Sequence, residues 1–384
     1  MPRIALVGPS WPLRGGIART TTALASALSS RGTLAGFFVP IRQYPGLLYP
    51  GRRDTDPHAC PRLPEAQPCY HVLEPWTWPA LLRKLRAATP DALVLPYWTS
   101  AWAPLHWFLA RSRVAPVVAV VHNPTDHDGS WHTRRVSRAV LGRCNAFLCH
   151  AQEVARGLRE QFPGREVIVH PLPPEAGAPS DRATARARLG LAPDVVAVLC
   201  FGLIRPYKGV DVVLEAVARL PRGLPLVLLL AGEPWGELAD RLRRRVAMPD
   251  LAGRVVARLE WIPEAEAGAW FAAADAAVLP YRTATGSAVA AQALGWGLPL
   301  VASAVGGIAE VVEEGVSGLL VPPEDPEALA SALARIVDGG LRSRLAEGAR
   351  ASSGRWNWGT YAEVLEELVE RITAPAGRAG GRDA

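Results

Sequence analysis

Short apolar runs alternate with longer amphipathic stretches along most of this chain. Residues 3–8 (RIALVG) open it as a strand, and Leu24, Ala27 and Leu28 then recur at helical spacing. Further uninterrupted apolar runs fall at 91–97, Val117–Val121, 145–149 and 167–171, with helical patterns over 132–143 and 152–162. The second half repeats the rhythm, with strands at 195–201, 224–231, in RVVARLEWIPEAE, in ADAAVLPY up to Tyr281, and in LPLVAS. Helical spacing resumes from Val210, around Ala267–Ala273, from Ala288 to Leu294, over 326–338 and around Trp356–Arg371. Strands without polar alternation are buried on both faces, which is the mark of parallel sheets covered by helices. The class expected is α/β. Residues 40–80, rich in Pro, Arg and Gly, read as irregular, and EPWTWPALLRKLRAATPD reads as a short amphipathic helix.

At 384 residues the natural expectation is two domains. The Pro/Ala-rich stretch PLPPEAGAPSDRATARARLG marks a linker, with the boundary near 172–180. Domains of 1–175 and 180–355 follow, then a last helix over 356–373 and a Gly/Ala/Arg-rich tail, 374–384, expected to be disordered. No apolar run reaches the roughly 18 residues of a membrane span. The start runs directly into a strand with no signal-peptide hydrophobic region, so a cytoplasmic location is expected. The five cysteines show no CxxC, so neither zinc nor a disulfide framework is indicated. A net charge of +6 fits an anionic partner: a nucleotide sugar, an anionic lipid surface or nucleic acid. Basic runs interleaved with aromatics are missing, which ranks nucleic acid last.

The candidate chemistry gathers in loops after strands. In VVAVLCFGLIRPYKGVD, Gly202 breaks a strand, and the loop before the next helix carries Arg205 and Lys208. Ligands of open α/β sheets bind at such strand ends, and two cations there suit a diphosphate. The chain has only two lysines, Lys84 and Lys208, although Lys and Arg together number 42. A lysine kept where arginine is the rule argues for a point charge with a purpose; the alternative is a pair of solvated loop cations. Gly15 and Gly16 precede the first helix, where backbone N–H groups can approach an anion, or they form a plain turn. Gly286-Ser287 opens a helix of small residues whose free N–H groups make a second anion seat. His122 ends a buried strand, as a hydrogen-bonded structural residue or a catalytic one. Trp98, Trp102 and Trp107 cluster past another strand end, Trp98 being a candidate acceptor-stacking surface and the other two reading first as core. Trp76 and Trp78 beside Arg83, Lys84 and Arg86 fit a peripheral membrane contact at the inner face of the plasma membrane, with an ordinary core-packed helix the preferred reading.

These segments carry a family resemblance. FGLIRPYKGVDVVLEAV resembles the donor-phosphate loop of glycosyltransferase family 4, a retaining, nucleotide-sugar-dependent family of GT-B fold, in which the Arg and Lys hold the donor diphosphate. Gly15-Gly16-Ile17 matches that family's GG(I/V) loop. His122-Asn123, followed by His127-Asp128, resembles its HN(x)xPH(E/D) segment, with Thr125 and Asp126 in place of the usual residues. The stretches ALGWGLPLVAS and GGIAEVVEEGVSGLLVPPEDPEALASAL set the register of the second half. The resemblance implies two Rossmann-like doubly wound parallel-sheet domains facing a central cleft, an acceptor-side one first and a nucleotide-sugar-binding one second. The last helix then crosses back to the first domain. It further implies catalytic roles for His122, Arg205 and Lys208, and donor contacts from Gly15, Gly16, Thr285, Ser287, Ala288, Val289 and Gln292. Trp98, His127 and Asp128 stand on the acceptor side. The chain departs from the pattern at the paired glutamates, whose positions hold Ala284 and Gln292; a bacterial subset of the family shares this A-T-x-S loop.

The expectation is therefore a metal-independent hexosyltransferase without cofactor. It moves sugar from a UDP- or GDP-sugar to a glycan or lipid-linked acceptor, in exopolysaccharide or cell-surface glycan synthesis. Nucleic acid is not an expected partner. The missing carboxylates keep a catalytically silent binding or scaffold subunit open, and the fold keeps a sugar-nucleotide epimerase open.

Overall fold

Each unalternating apolar run becomes a strand of one of two parallel sheets. The computed structural model describes residues 1–43, 55–56, 63–126, 129–174 and 180–374. The chain divides into two units, Met1–Pro171 joined by the chain from Trp358, and Leu172–Asn357.

The first unit holds β1 (Ile4–Val7), β2 (Leu34–Arg42), β3 (Ala66–His71), β4 (Ala92–Tyr97), β5 (Val117–Val121), β6 (Ala146–Cys149) and β7 (Glu166–Val169). Among the described residues their order is β3-β2-β1-β4-β5-β6-β7, with every pair parallel. Because side chains alternate across a strand, two cores form. Ala5, Val7, Leu93, Leu95 and Phe147 enter one, and Ile4, Leu6, Ala92, Val94 and Leu148 the other. The second core is closed by helix Gly16–Ser30 and by the chain's last helix, Trp358–Thr373, which contributes Tyr361, Leu365, Leu368 and Val369. Glu366 of that helix accepts a paired contact from Arg31 and a 2.7 Å hydrogen bond from the Thr33 hydroxyl.

The expectation that 40–80 is irregular is corrected by β3, which pairs in parallel with β2 at the sheet edge. Its sequence, AQPCYH, buries only Tyr70 fully and carries a proline, a pattern tolerated at an edge and poor as a strand signal. Helix Trp78–Ala88 buries Trp78, Leu81 and Leu85 against the first core while Trp76 stays exposed, so its apolar face is spent on packing. Trp102 is buried as well, but Trp107 is 39% exposed, which corrects its reading as core.

The second unit holds β8 (Val196–Phe201), β9 (Leu226–Ala231), β10 (Val255–Arg258), β11 (Ala276–Leu279), β12 (Leu300–Ser303) and β13 (Gly318–Val321). Their order is β10-β9-β8-β11-β12-β13, again all parallel. The strand order therefore reverses between β8 and β11, as it does between β1 and β4 in the first sheet. Helix Leu238–Val246 buries Leu242 alone, too little for hydrophobic periodicity to reveal it. No described helix is long and apolar enough to cross a membrane. The tail beyond residue 374 lies outside the described residues.

Candidate functional site

At the reversal point of the second sheet, the loop after β8 meets the loop after β11. Gly209 makes the closest approach. Its φ is +63°, and a Cβ there would sit 1.9 Å from the Pro280 carbonyl oxygen, so no other residue fits without moving one loop. Arg282 fastens the pair from the other side. Its guanidinium grips Asp211 with two bonds of 3.0 and 2.8 Å, reaches Glu324 at 2.9 Å and donates to the Pro206 carbonyl at 2.7 Å. Its backbone N–H donates to the Tyr207 carbonyl at 2.7 Å. Arg282 was not singled out from the sequence. An exposed-looking arginine after a strand carries no local signal, because its partners lie 71 and 42 residues away.

Within this braced loop Lys208 turns inward. Its Nζ lies 3.5 Å from the place a Cβ on Gly202 would occupy, and Val289 Cγ2 lies 3.3 Å from that same point. Lys208 and the first turn of helix Ala288–Gly295 thus converge on the bare side of Gly202. The ammonium sits 5.3 Å from the Tyr281 ring. Burial pulls its pKa below the ordinary lysine value, and the neighbouring Arg205 charge acts in the same direction. Among the described residues no ion pair joins Lys208 to a carboxylate. Arg205 sits over Trp235, its guanidinium carbon 3.7 Å from the ring centroid. Trp235, 43% exposed, is a second residue that the sequence did not announce.

Ser287 caps helix Ala288–Gly295, its Oγ accepting from the Ala290 N–H at 3.1 Å. The same hydroxyl hydrogen-bonds Tyr281, whose phenol burial pushes well above its usual pKa. Thr285 and Val289 are half-buried beside Ser287, Ala288 is exposed, and Gln292 is buried on the following turn. Ala284 receives the Gly307 N–H on its carbonyl at 3.3 Å and offers no polar side chain. The structure therefore brings Arg205, Lys208, Ser287 and Val289 to one end of this sheet: two cations facing a helix start.

In the first unit, Gly15 (φ +122°) caps helix Gly16–Ser30 after β1, with no described atom within 4 Å of where its Cβ would sit. Trp98, half-buried past β4, tilts against Trp102 with ring centroids 4.5 Å apart. His122 follows β5, its N–H donating to the Tyr97 carbonyl at 2.8 Å, and Asn123 Nδ2 reaches the Trp98 carbonyl at 3.4 Å. His122, Trp98 and the end of β4 are therefore neighbours. Asp126 accepts from the backbone and hydroxyl of Ser100. His127 and Asp128 lie outside the described residues.

A row of histidines was missed. His122, His150 and His170 each stand one residue past β5, β6 and β7. The His122 and His150 rings are 4.7 Å apart, and His150 and His170 lie 5.9 and 5.1 Å from the Tyr361 ring. His150 Nδ1 meets the His170 carbonyl at 3.1 Å, while its Nε2 is buried without a partner. Burial lowers all three pKa values: His122 well below the usual range, with His150 adding to the effect, and His150 to about 4. They are neutral at pH 7, so His122 can donate or accept one hydrogen bond but is a poor cation. The only available signal was positional, a histidine at the same step after three consecutive strands. Among the described residues, no group of three or more His, Cys, Asp or Glu could hold a metal ion.

The model of the family described as Glycosyltransferase Family 4 matches residues 14–173, and that described as Glycosyl transferases group 1 matches residues 196–339. A D-inositol 3-phosphate glycosyltransferase from Nocardioides sp. is 37% identical over 227 residues, 55% of this chain and 50% of that protein. The enzyme of the same name from Geodermatophilus obscurus is 32% identical over 306 residues, 74% of this chain and 67% of that protein. The chain thus spans half to two thirds of the length of these curated relatives. Among solved structures, Anabaena HepE in complex with UDP-glucose matches with a TM-score of 0.72 at 19% identity, over 96% of this chain and 99% of that one.

Proposed function

Since the chain belongs to glycosyltransferase family 4, we propose that it moves a hexosyl group from a nucleoside diphosphate sugar to an acceptor hydroxyl with retention of configuration. The observation that carries this reading is the partly desolvated Lys208 ammonium, set beside Arg205 and aimed at a helix start, with no carboxylate paired to it among the described residues. A site that holds two like charges together is costly when empty and gains most from a doubly charged guest.

In the proposed reaction the bond between the anomeric carbon and the β-phosphate oxygen breaks, and its electron pair stays on the phosphate. Arg205, Lys208 and the N–H groups of Ser287–Val289 receive that growing charge, the role a metal plays elsewhere. The acceptor oxygen bonds to the anomeric carbon on the face the phosphate leaves, and its proton passes to the departing phosphate oxygen. No protein nucleophile is required. Neutral His122 is proposed as a hydrogen-bonding partner of a sugar hydroxyl, with Gly15, Gly16, Thr285 and Gln292 as further donor contacts. UDP is the first nucleotide to try, given HepE, and GDP the second.

Two acceptor classes are proposed for testing. One is a phosphorylated polyol, after the D-inositol 3-phosphate of the relatives' name. The other is a glycan or lipid-linked glycan of exopolysaccharide or surface-glycan synthesis in the cytoplasm. The nonpolar Ala284 favours one competing reading, a chain of the glutamate-lacking subset that binds donor without turning it over. A single series separates these: calorimetry with UDP and GDP in EDTA, then release of free sugar from nucleotide sugars. Micromolar binding with slow hydrolysis supports the transferase, binding without hydrolysis or transfer supports the silent homologue, and absence of nucleotide binding overturns both.

A further inference from the structure

The outward side of two adjoining helices in the first unit, Ala103–Arg111 and Trp131–Leu141, combines exposed tryptophan with arginine. Trp131 is 59% exposed, Val136 42% and Trp107 39%. From Ala103 to Gln152 the chain carries Arg111, Arg113, Arg134, Arg135, Arg138 and Arg143, no lysine, and only Asp126 and Asp128 as carboxylates. All six arginines are exposed, and Asp126 is occupied by Ser100.

Helical geometry explains the arrangement. Ser137, Val140 and Leu141 face the sheet, which turns Trp131, Arg135 and Arg138 (spaced i, i+4, i+7) away from it. Trp107 and Arg111 stand one turn apart on the neighbouring helix, and Arg143 closes the gap between the two. The guanidinium carbons of Arg111 and Arg143 lie 4.7 and 5.2 Å from the Trp107 ring, and that of Arg135 lies 5.6 Å from the Trp131 ring.

We propose that this face docks the protein on an anionic lipid surface. Arginine forks pair with lipid phosphates, while tryptophan rings and Val136 settle at the boundary between headgroups and acyl chains. A polyanion such as nucleic acid would satisfy the arginines and leave Trp131 and Val136 with nothing apolar to enter. The face belongs wholly to the first unit and contains none of the donor-site residues, so the proposal goes beyond the nucleotide-sugar reading and does not depend on it.

The test is vesicle flotation of the full chain with phosphatidylcholine alone and with an equal mixture of phosphatidylcholine and phosphatidylglycerol, at low and high salt. Binding is expected to the anionic vesicles only. The double variant Arg135→Glu/Arg138→Glu should lower partitioning at least tenfold, and Trp131→Ala several-fold with a steeper loss at high salt. Both variants should keep the wild-type melting temperature and nucleotide affinity. If the double variant is poorly folded, the wild-type salt titration decides: partitioning must fall steeply with ionic strength. Equal binding to both vesicle types, no vesicle binding, or variant-sensitive binding to RNA in its place would each overturn the proposal.

Discussion

Replacing Lys208 by alanine tests the donor site at its most exposed assumption. In the free protein the ammonium is half-buried, lies near Arg205 and has a lowered pKa, so holding it charged costs stability. When a diphosphate arrives, that cost becomes a charge-assisted contact worth about 1.5–3 kcal/mol. Its loss predicts a nucleotide Kd weakened by roughly 10- to 150-fold at about 1.4 kcal/mol per decade. Charge on the leaving group grows further in the transition state, so turnover should fall by on the order of 10²–10³. The stability of the free protein should barely change, because the variant also removes a desolvated charge and its repulsion from Arg205. Lys208→Arg should restore only part of the affinity, since Val289 and the bare side of Gly202 leave room for an ammonium and little for a planar fork. The pH dependence has a definite sign. With its folded pKa below the usual 10.5, free Lys208 loses its proton early; bound phosphate restores it, so affinity falls as pH rises towards 10.5 and binding takes up a proton. Across that same window the unfolded chain holds more protons, so the ligand-free protein gains stability as pH rises. Isothermal titration calorimetry at several pH values, paired with thermal melts, measures all of this. A Lys208→Ala protein that binds UDP as tightly as wild type would refute the reasoning.

Acidification should unfold the first unit early. His106 and His150, buried, have pKa values lowered to about 3 and 4, and His122 lies well below its usual 6.5. The unfolded chain takes up their protons first, so stability is lost as pH falls below 6.5, by about 1.4 kcal/mol per histidine at one pH unit below that value, and urea melts at pH 7.5 and 5.5 would show no difference if the histidines were freely solvated. Trp235→Ala removes the plane under Arg205, a contact worth about 0.5–2 kcal/mol, and should raise the donor KM roughly 2- to 30-fold with Trp235→Phe recovering most of it; equal KM values for all three proteins would show that the stack does not position Arg205. Gly209→Ala meets both a positive φ and the Pro280 carbonyl, so it should cost about 2 kcal/mol or more, read as a lower melting temperature together with weaker nucleotide binding. A variant as stable as wild type would mean that the two loops are not held in register there.

The strands that sequence disclosed are those buried on both faces. Val117–Val121 could be read to the residue because all five of its side chains are buried. The edge strand Ala66–His71 could not, because a strand with a single neighbour among the described residues has less need of an apolar run. The same distinction runs through the proposed donor site. Lys208 was legible because the chain so rarely uses lysine, and Ser287 because a capping residue before small helical residues is a local signal. Arg282, Trp235 and the His122–His150–His170 row were not, since each acquires its role from residues that approach only when separate strands align.

One geometric rule accounts for where the candidate residues fall in both units. A parallel sheet that grows first one way and then the other sends its crossover helices to opposite faces at the reversal, and the loops flanking that point at the strands' carboxyl ends line the opening. In the second sheet those loops follow β8 and β11, and they carry Lys208 and Ser287; in the first they follow β1 and β4, and they carry Gly15 and Trp98. The chemistry of the two openings differs in kind. The second pairs cations with a helix start, which suits a leaving group that gathers negative charge. The first adjoins a neutral histidine and aromatic faces, which suit hydroxyls and sugar rings. Ala284 sharpens the division: it has no polar side-chain atom, so on the proposed reading selection of the donor sugar falls to Thr285, Ser287 and backbone N–H groups. Sugar preference in this chain should accordingly follow substitutions at Thr285 more closely than at position 284.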